Sequence, residues 1–297
     1  MGLDDLITEA RSAETRDLDL RSTGELVELM NQQDAAVPAA VASSAADVAA
    51  VIDTVVDRLQ AGGRLVYVGA GSSGRLAAVD ASECESTFSA APGQVVAILA
   101  GADAPSAFEQ EAAEDDAEAG RRDVHSLGVG ATDAVIGISA SGRTPYVLGA
   151  IEAAGAAGAA TACIVSVAGS ELGRLVEREI AVVVGPELLA GSTRLKAGTA
   201  QKLVLNMIST ISMIRLGKTF DNLMVDVCAT NEKLRARVRR IVMTATGASQ
   251  ERVDAALADT GGSAKVAIVM LLGSLDVETA RSRLAVANGN IRLALEP

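Results

Sequence analysis

Five short apolar runs, separated by segments with helical periodicity, constrain the fold of this chain more than any other feature of its sequence. The runs are rich in β-branched residues and continuously apolar, as in strands that helices cover on both faces. They span Arg64–Val68, Val95–Leu99, Ala134–Ile138, Ala162–Val165 and Ile180–Val184. Strands that alternate with helices predict an α/β fold, a three-layer α/β/α sandwich around a five-stranded parallel sheet.

Helical patterns fill the spacers and dominate the last third of the chain. Between the strands they predict helices over Ala46–Gln60, Gly74–Ala81, Ser106–Gly120, Pro145–Ala157 and Glu171–Glu177. Beyond the sheet they predict helices over Lys196–Leu216, Thr230–Thr246, Gln250–Asp259, Ala264–Leu272 and Glu278–Ala287. The predicted domains are an N-terminal arm with one short helix, Gly24–Asn31 (1–45), a sheet domain (46–218), a connecting helix (219–248) and a small C-terminal three-helix domain (249–297).

The charge and the aromatic content argue against nucleic acid as a partner. Asp and Glu number 38 against 26 Lys and Arg, which leaves a formal net charge of -12, and no local basic patch offsets it. Trp is absent, and only 2 Tyr and 3 Phe are available to stack on bases. We therefore expect no nucleic-acid partner.

The cysteines and the single histidine restrict the compartment and the chemistry. Cys84, Cys163 and Cys228 are odd in number and far apart, as in a reduced cytoplasmic protein, and we expect Cys84 to pack rather than react. The N-terminus lacks the apolar run of a signal peptide, and Leu203–Ile214 is too short and too polar to span a bilayer. With His125 alone there is no multi-histidine metal site, and we expect this residue on the surface or in a turn, without a catalytic role.

Two of the predicted strands each run into a Ser/Gly turn that ends in Ser-Gly-Arg. The first turn, Gly69–Gly74, has the G-x-G-x-x-G pattern of a dinucleotide site, but no acidic residue follows at the distance that a ribose requires. Hydroxyls and amides at helix N-termini suit the three oxygens of a phosphate monoester. Either turn alone could hold ordinary helix caps, but the pair favours a phosphate site. Its candidate residues are Gly71, Ser72, Ser73, Ser139, Ser141 and Thr144.

These paired turns resemble those of the sugar isomerase (SIS) domain, which binds phosphosugars, and longer strings resemble one family, the N-acetylmuramic acid 6-phosphate etherases. The C-terminal stretch Gly261–Leu295 resembles the ubiquitin-associated-like helical tail of that family. Two positions depart from the family pattern: Ser72 replaces the usual Thr, and Glu85 opens Glu-Ser-Thr-Phe-Ser instead of Pro-Pro-Thr-Phe-Gly. The other matching stretches are Asp17–Asn31, Gly69–Phe88 (GAGSSGRLAAVDASECESTF), Gly137–Pro145, Gly185–Asn206 (GPELLAGSTRLKAGTAQKLVLN) and Phe220–Asn231.

The resemblance implies an enzyme of cell-wall sugar recycling that removes D-lactate from carbon 3 of N-acetylmuramic acid 6-phosphate without metal or cofactor. The ether lies β to the aldehyde of the ring-opened sugar, so a base can take the carbon 2 proton while an acid protonates the departing oxygen. Water then adds back to give N-acetylglucosamine 6-phosphate. The resemblance assigns Glu83 as the acid and Glu114 as the base. It also implies a homodimer and leaves open whether both subunits complete the site.

Several residues keep a structural interpretation beside the functional one. Apart from the resemblance, Glu114 is one of several acidic residues on a solvated helix, and Glu85 either perturbs a nearby pKa or faces solvent. The candidate sugar contacts, which could equally cap the following helix, are Glu187, Ser192, Thr193, Arg194 and Lys196. The apolar positions that could form helix core or a dimer interface are Val204, Ile208, Ile211 and Ile214. A non-catalytic phosphosugar-sensing regulator and an aldose–ketose isomerase stay open as alternative functions, because a fold does not decide its chemistry.

Overall fold

The computed structural model describes residues 7–104, 106–227 and 232–296. Cys228, the end of the matching stretch Phe220–Asn231 and the first six residues of the predicted arm lie outside this part of the chain. The chain forms two compact units, one from Met1–Ala81 and Gly93–Ile208, the other from Ser82–Pro92 and Ser209–Pro297. The domain boundaries at residues 45, 218 and 248 stay predictions.

The first unit is built on a five-stranded parallel sheet, which confirms the predicted fold class. The strand order is β2-β1-β3-β4-β5, so the two central neighbours β1 and β3 are not consecutive in the chain. All of β1, β3 and β4 is buried, as their continuous apolar sequences require. The strands are β1 Leu65–Gly69, β2 Val95–Leu99, β3 Ala134–Ile138, β4 Ala160–Val165 and β5 Arg178–Ala181.

Helices cover both faces of this sheet because successive side chains of each strand point in opposite directions. Val66 and Val68 of β1 face one layer, where they share a core with residues of α6 and α7. Tyr67 faces the other layer and donates a hydrogen bond to Asp80 of α4, which also accepts one from Asn206 of α8. The helices of this unit are α1 Thr23–Asp34, α2 Val37–Ser43, α3 Ala45–Gln60, the first part of α4 Gly71–Phe88, α5 Ala107–Ala112, α6 Ala117–Ser126, α7 Pro145–Ala156 and the first part of α8 Lys196–Arg215.

The described part of the predicted arm contains two α-helices, α1 and α2, rather than one, and two predicted helices between the strands are divided or shortened in the structure. The segment predicted as Ser106–Gly120 divides into α5, a 3₁₀ turn at Ala113–Asp115 and α6, because Asp116 leaves the helical conformation and its side chain caps α6 by accepting from Ala119 N. The segment predicted as Glu171–Glu177 contains only a 3₁₀ turn. There the Glu179 carboxylate accepts from the amides of Gly169 and Ser170 and fixes the loop before a longer helix can form.

The second unit is helical apart from a small hairpin, β6 Thr219–Phe220 and β7 Leu223–Met224. The tail adds one short helix, Ile291–Leu295, to the three predicted from the sequence, and Asn290 caps it by accepting from Leu293 N. Buried residues of these helices form one core around the apolar α11. The helices are α9 Glu232–Thr246, α10 Gln250–Asp259, α11 Ala264–Gly273, α12 Val277–Val286 and α13 Ile291–Leu295.

Among the described residues, no single helix has the length and hydropathy to cross a bilayer. Two bent pairs, Thr23–Ser43 with Ala45–Gln60 and Gln250–Asp259 with Ala264–Gly273, reach those values only when each pair is taken together.

Candidate active site

A cavity of about 500 Å³ opens at the carboxyl ends of β1 and β3. The chain runs from β1 to β2 on one side and from β3 to β4 on the other, and such a reversal of strand order leaves a crevice in which α/β proteins bind ligands. All of the lining residues belong to the first unit. They are Glu9, Ala70, Gly71, Ser72, Ser73, Arg75, Gln110, Glu111, Glu114, Ile138, Ser139, Ala140, Ser141, Thr144, Gly191, Ser192, Thr193 and Arg194.

The loop after β1 passes directly into α4, which begins at Gly71 rather than at the predicted Gly74. Gly71 has a φ of +51°, a conformation that glycine adopts without strain. The first amides of α4 have no partner within the helix and are therefore available to an anion at this end. Ser72 and Ser73 line the cavity, and the Ser73 hydroxyl donates to Oε1 of the buried Gln201 at 3.0 Å.

The loop after β3 holds three hydroxyl groups close together. Ser139 Oγ lies 2.9 Å from Thr144 Oγ1 and 3.4 Å from Ser141 Oγ, and it accepts from Gly142 N. Thr144 occupies the N-cap position of α7, yet its side chain makes no capping hydrogen bond. The hydroxyls thus bond to one another and to their own loop, and the Thr144 side chain does not act as an ordinary cap of α7.

Glu114 reaches this cavity from the 3₁₀ turn between α5 and α6. Its carboxylate packs against Gly71 so closely that a Cβ added to Gly71 would lie 2.5 Å from Glu114 Oε1. Partial burial, reinforced by the negative charges of Glu111 and Asp115, raises the pKa of Glu114 above its ordinary value, and Arg75 opposes the rise. A carboxylate with a raised pKa is a stronger base than an ordinary glutamate.

Glu83 is in a different position. It is exposed on α4, and the cavity lining does not include it. It follows Gly71 by 12 residues on the same helix. The cavity of one chain thus contains one of the two predicted catalytic carboxylates. Glu85 is also exposed and is absent from the lining.

The five candidate sugar contacts lie in the loop before α8 and at the first residue of α8, and they separate into two groups. Ser192, Thr193 and Arg194 line the cavity. Glu187 is buried and accepts from the amides of Lys196 and Ala197 at 3.0 and 2.9 Å, so it caps α8. The ammonium group of Lys196, also buried, donates to Gln33 at 3.0 Å. Glu187 and Lys196 therefore hold the loop in place, and neither lines the cavity.

Four polar residues of the cavity were not predicted from the sequence. Arg75 donates to Gln110 at 3.2 Å. It directly follows the first turn in the sequence, so its position beside the motif could have predicted that it lies in the cavity. Gln110 and Glu111 belong to α5, which ends at Ala112, and Glu9 belongs to a segment with no recognisable motif.

The remaining reactive side chains lie away from this cavity. His125 is exposed in the last turn of α6, which agrees with its predicted surface position. Cys84 and Cys163 are buried, and burial raises the pKa of Cys163 to about 12. Within the part of the chain that the structure describes, no cluster of three His, Cys, Asp or Glu side chains is arranged to hold a metal ion.

Comparisons with known proteins agree with this architecture. Residues 47–155 match the family model of the glucokinase regulatory protein N-terminal SIS domain. A curated N-acetylmuramic acid 6-phosphate etherase of Rubrobacter xylanophilus is 57% identical over 293 residues, which are 99% of this chain and 97% of the relative. One of Streptomyces avermitilis is 54% identical over 293 residues, 99% and 94% of the two chains. The solved structure of a phosphoheptose isomerase from Francisella tularensis shares the fold, with a TM-score of 0.50 and 19% identity over 63% of this chain and 98% of that one.

Proposed function

This chain belongs to the N-acetylmuramic acid 6-phosphate etherase family of enzymes, and from that premise we propose that it removes D-lactate from N-acetylmuramic acid 6-phosphate. The products are D-lactate and N-acetylglucosamine 6-phosphate, and the reaction class is that of a carbon–oxygen lyase. We further propose that it acts in cell-wall sugar recycling in the cytoplasm, a location that its widely separated cysteines support.

The hydroxyl-rich loops bind the phosphate of the substrate. Ser72 and Ser73 follow β1, and Ser139, Ser141 and Thr144 follow β3, so donors converge on one anion from two helix N-termini. This end of the substrate takes no part in the bond changes. It positions the open-chain sugar so that carbons 2 and 3 lie near Glu114.

The reaction proceeds by elimination and then addition. Glu114 removes the proton on carbon 2, the electron pair forms the carbon 2–carbon 3 double bond, and the ether bond to carbon 3 breaks. Glu83 gives a proton to the departing lactate oxygen. Water then adds at carbon 3 and gives a proton to Glu83, while Glu114 returns its proton to carbon 2, which restores both carboxyl groups to their starting states. The observation that carries this proposal is the Glu114 carboxylate, placed against the phosphate loop with a raised pKa.

A homodimer supplies Glu83 to this reaction. Because Glu83 is exposed and absent from the cavity of its own chain, we assign the acid in each site to a second copy. The face of α8 supports such pairing: Val204 and Ile208 are fully buried, whereas Ile211 and Ile214 are 39% and 46% exposed. Exposed apolar side chains at helical spacing are typical of interfaces.

The proposal is tested by enzymatic measurement of D-lactate released from N-acetylmuramic acid 6-phosphate. We expect release by the wild type and a loss of 10²-fold or more, roughly the usual contribution of an acid or base, in Glu83→Ala and in Glu114→Ala. Glu251→Ala, an exposed carboxylate on α10, is the matched control and should retain full activity. Circular dichroism of each variant checks that the fold is intact.

The two alternatives predict different results in the same assay. A phosphosugar-sensing regulator, favoured by the match to a regulatory protein's SIS domain, binds the phosphosugar but releases no lactate. An aldose–ketose isomerase exchanges the carbon 2 proton with solvent and also releases no lactate. Binding without lactate release by the wild type would therefore contradict the etherase, and proton exchange would then separate the two alternatives.

A further inference from the structure

Glu9 stands in the cavity without any partner of its own. It lines the cavity beside the loop Gly191–Arg194, and its side chain is partly buried. Its carboxylate makes no hydrogen bond or ion pair within residues 7–104, 106–227 and 232–296. A carboxylate that faces a ligand cavity and has no protein donor is free to accept hydrogen bonds from the ligand.

The position of Glu9 is fixed by its neighbours. The amide of Gly191 donates to the carbonyl of Thr8 at 3.2 Å, which joins the N-terminal segment to the loop before α8. Gly191 has a φ of +78°, and a Cβ there would lie 2.9 Å from Glu9 Oε2. The carboxylate therefore rests on a glycine, in the same way that Glu114 rests on Gly71.

The charge of Glu9 determines which part of the ligand it can contact. A carboxylate repels a phosphate and accepts hydrogen bonds without donating any. The phosphate has its own donors in the two hydroxyl loops, where Ser73 and Ser139 are held by protein hydrogen bonds. The hydroxyl groups of the sugar chain are neutral donors, which suit a carboxylate.

We propose that Glu9 is a specificity-determining residue that accepts hydrogen bonds from sugar hydroxyls and so selects a phosphosugar over other phosphorylated compounds. The inference rests on the proposed function, because it takes the ligand of this cavity to be a phosphosugar. Glu9 does not exchange protons with the substrate. Its contribution is to affinity and to discrimination between ligands.

Calorimetric titration with two ligands tests this role. N-acetylglucosamine 6-phosphate carries both phosphate and hydroxyls, whereas inorganic phosphate carries no sugar. We expect Glu9→Gln and Glu9→Ala to weaken binding of the phosphosugar by about 10-fold, the usual effect of removing a hydrogen bond to a charged acceptor. Binding of inorganic phosphate should be unchanged or tighter, since a negative charge has been removed. The matched control is Glu28→Gln, an exposed carboxylate on α1, which should bind both ligands as the wild type does.

The kinetic readout is independent of the titration. In lactate release we expect KM to rise about 10-fold in Glu9→Gln while kcat stays within about threefold, because a contact to the sugar is lost and no proton donor is removed. Unchanged phosphosugar affinity in both Glu9 variants would overturn the proposal. Equal loss of both ligands would also overturn it, because that pattern indicates a disturbed loop. A wild type that binds inorganic phosphate and no phosphosugar would instead contradict the proposed function itself.

Discussion

At the scale of the residue, Gly71 and Glu114 illustrate how the candidate site combines an anion site with a base. The missing side chain of Gly71 leaves the space that Glu114 Oε1 occupies. The same glycine begins α4, whose amides favour negative charge at this end. The carboxylate is nevertheless held partly away from water and near other carboxylates, and the net effect is a raised pKa.

The neighbour Glu111 offers a way to test the origin of this pKa. Burial contributes most to the rise, and the charge of Glu111 contributes next. Glutamine at position 111 removes that charge, so the pKa of Glu114 should fall toward its ordinary value. Because a base must be deprotonated, we expect the acidic limb of the pH profile of kcat/KM to move to lower pH in Glu111→Gln.

The control for this measurement is Asp103→Asn, an exposed carboxylate outside the cavity lining, which should leave the profile in place. An acidic limb at the wild-type pH in Glu111→Gln would indicate that burial alone sets the pKa of Glu114. A limb displaced to higher pH would contradict the assignment of Glu114 as the base.

Local sequence signals accounted for part of the site and missed the rest for a physical reason. The serines and Thr144 follow strands in recognisable turns, so their meeting at one sheet edge could be predicted. Glu114 came from the family resemblance alone, because its position depends on a helix break at Asp116. Glu9 and Gly191 are 182 residues apart, and no local pattern predicts such a contact.

At the scale of the element, an ion pair between the partly exposed Arg64 and the buried Asp133 joins the beginnings of two neighbouring strands. Arg64 precedes β1 and Asp133 precedes β3. The guanidinium donates to Asp133 at 2.7 Å, and Asp133 also accepts from the amides of Arg64 and Gly130. Burial acts to raise the pKa of Asp133, but these hydrogen bonds outweigh it and hold that pKa below the ordinary value.

We expect Asp133→Asn to lower the free energy of unfolding by about 2 kcal/mol at neutral pH, because charge-assisted hydrogen bonds at a buried site are lost. The folded-state pKa of Asp133 is depressed, so its contribution is present above the unfolded-state pKa and disappears as the pH falls through the folded-state value. The difference between wild type and variant should therefore shrink in acid. Urea unfolding at pH 7 and near pH 3 measures it.

The comparison variant is Asp47→Asn, whose exposed pair with Arg178 has a separation of 3.6 Å. An exposed pair contributes little, so this substitution should change stability by less than about 1 kcal/mol. If Asp133→Asn changed the free energy of unfolding at pH 7 by as little as Asp47→Asn does, the ion pair between Arg64 and Asp133 would not be a source of stability.

Most of the longer elements that bury an apolar stripe were predicted, whereas short elements such as α2 were not. The strands Val95–Leu99 and Ala134–Ile138 have the predicted bounds, and α3 begins within one residue of its predicted start. The hairpin of β6 and β7 was not predicted, because two-residue strands leave almost no periodicity. A capping residue such as Asp116 decides where a polar helix begins. Its effect is limited to one helical turn, so the sequence pattern around it gives little sign of the break.

At the scale of the whole molecule, the proposed homodimer predicts how active a mixture of two inactive variants should be. If each site takes Glu114 from one chain and Glu83 from the other, a hybrid of Glu83→Ala and Glu114→Ala has one intact site. Random exchange of subunits makes half of the dimers hybrid, so an equimolar mixture should recover roughly a quarter of wild-type lactate release. Each variant alone should stay inactive.

The experiment must show that the subunits have exchanged. Subunits that carry different tags allow the hybrid dimers to be isolated by tandem purification. Light scattering should give about twice the 30.1 kDa of one chain. Purified hybrids without activity would contradict the shared site and would place both carboxylates of a reaction in the same chain.

The two tyrosines give this protein an unusual optical property. The chain has no Trp, and its 2 tyrosines, Tyr67 of β1 and Tyr146 of α7, are both almost fully buried in the first unit. Tyrosine fluorescence, excited at a wavelength that phenylalanine does not absorb, therefore originates from the sheet unit alone. Far-ultraviolet circular dichroism detects the helices of both units, so the separation between denaturation curves recorded by the two methods measures how independently the units lose their structure.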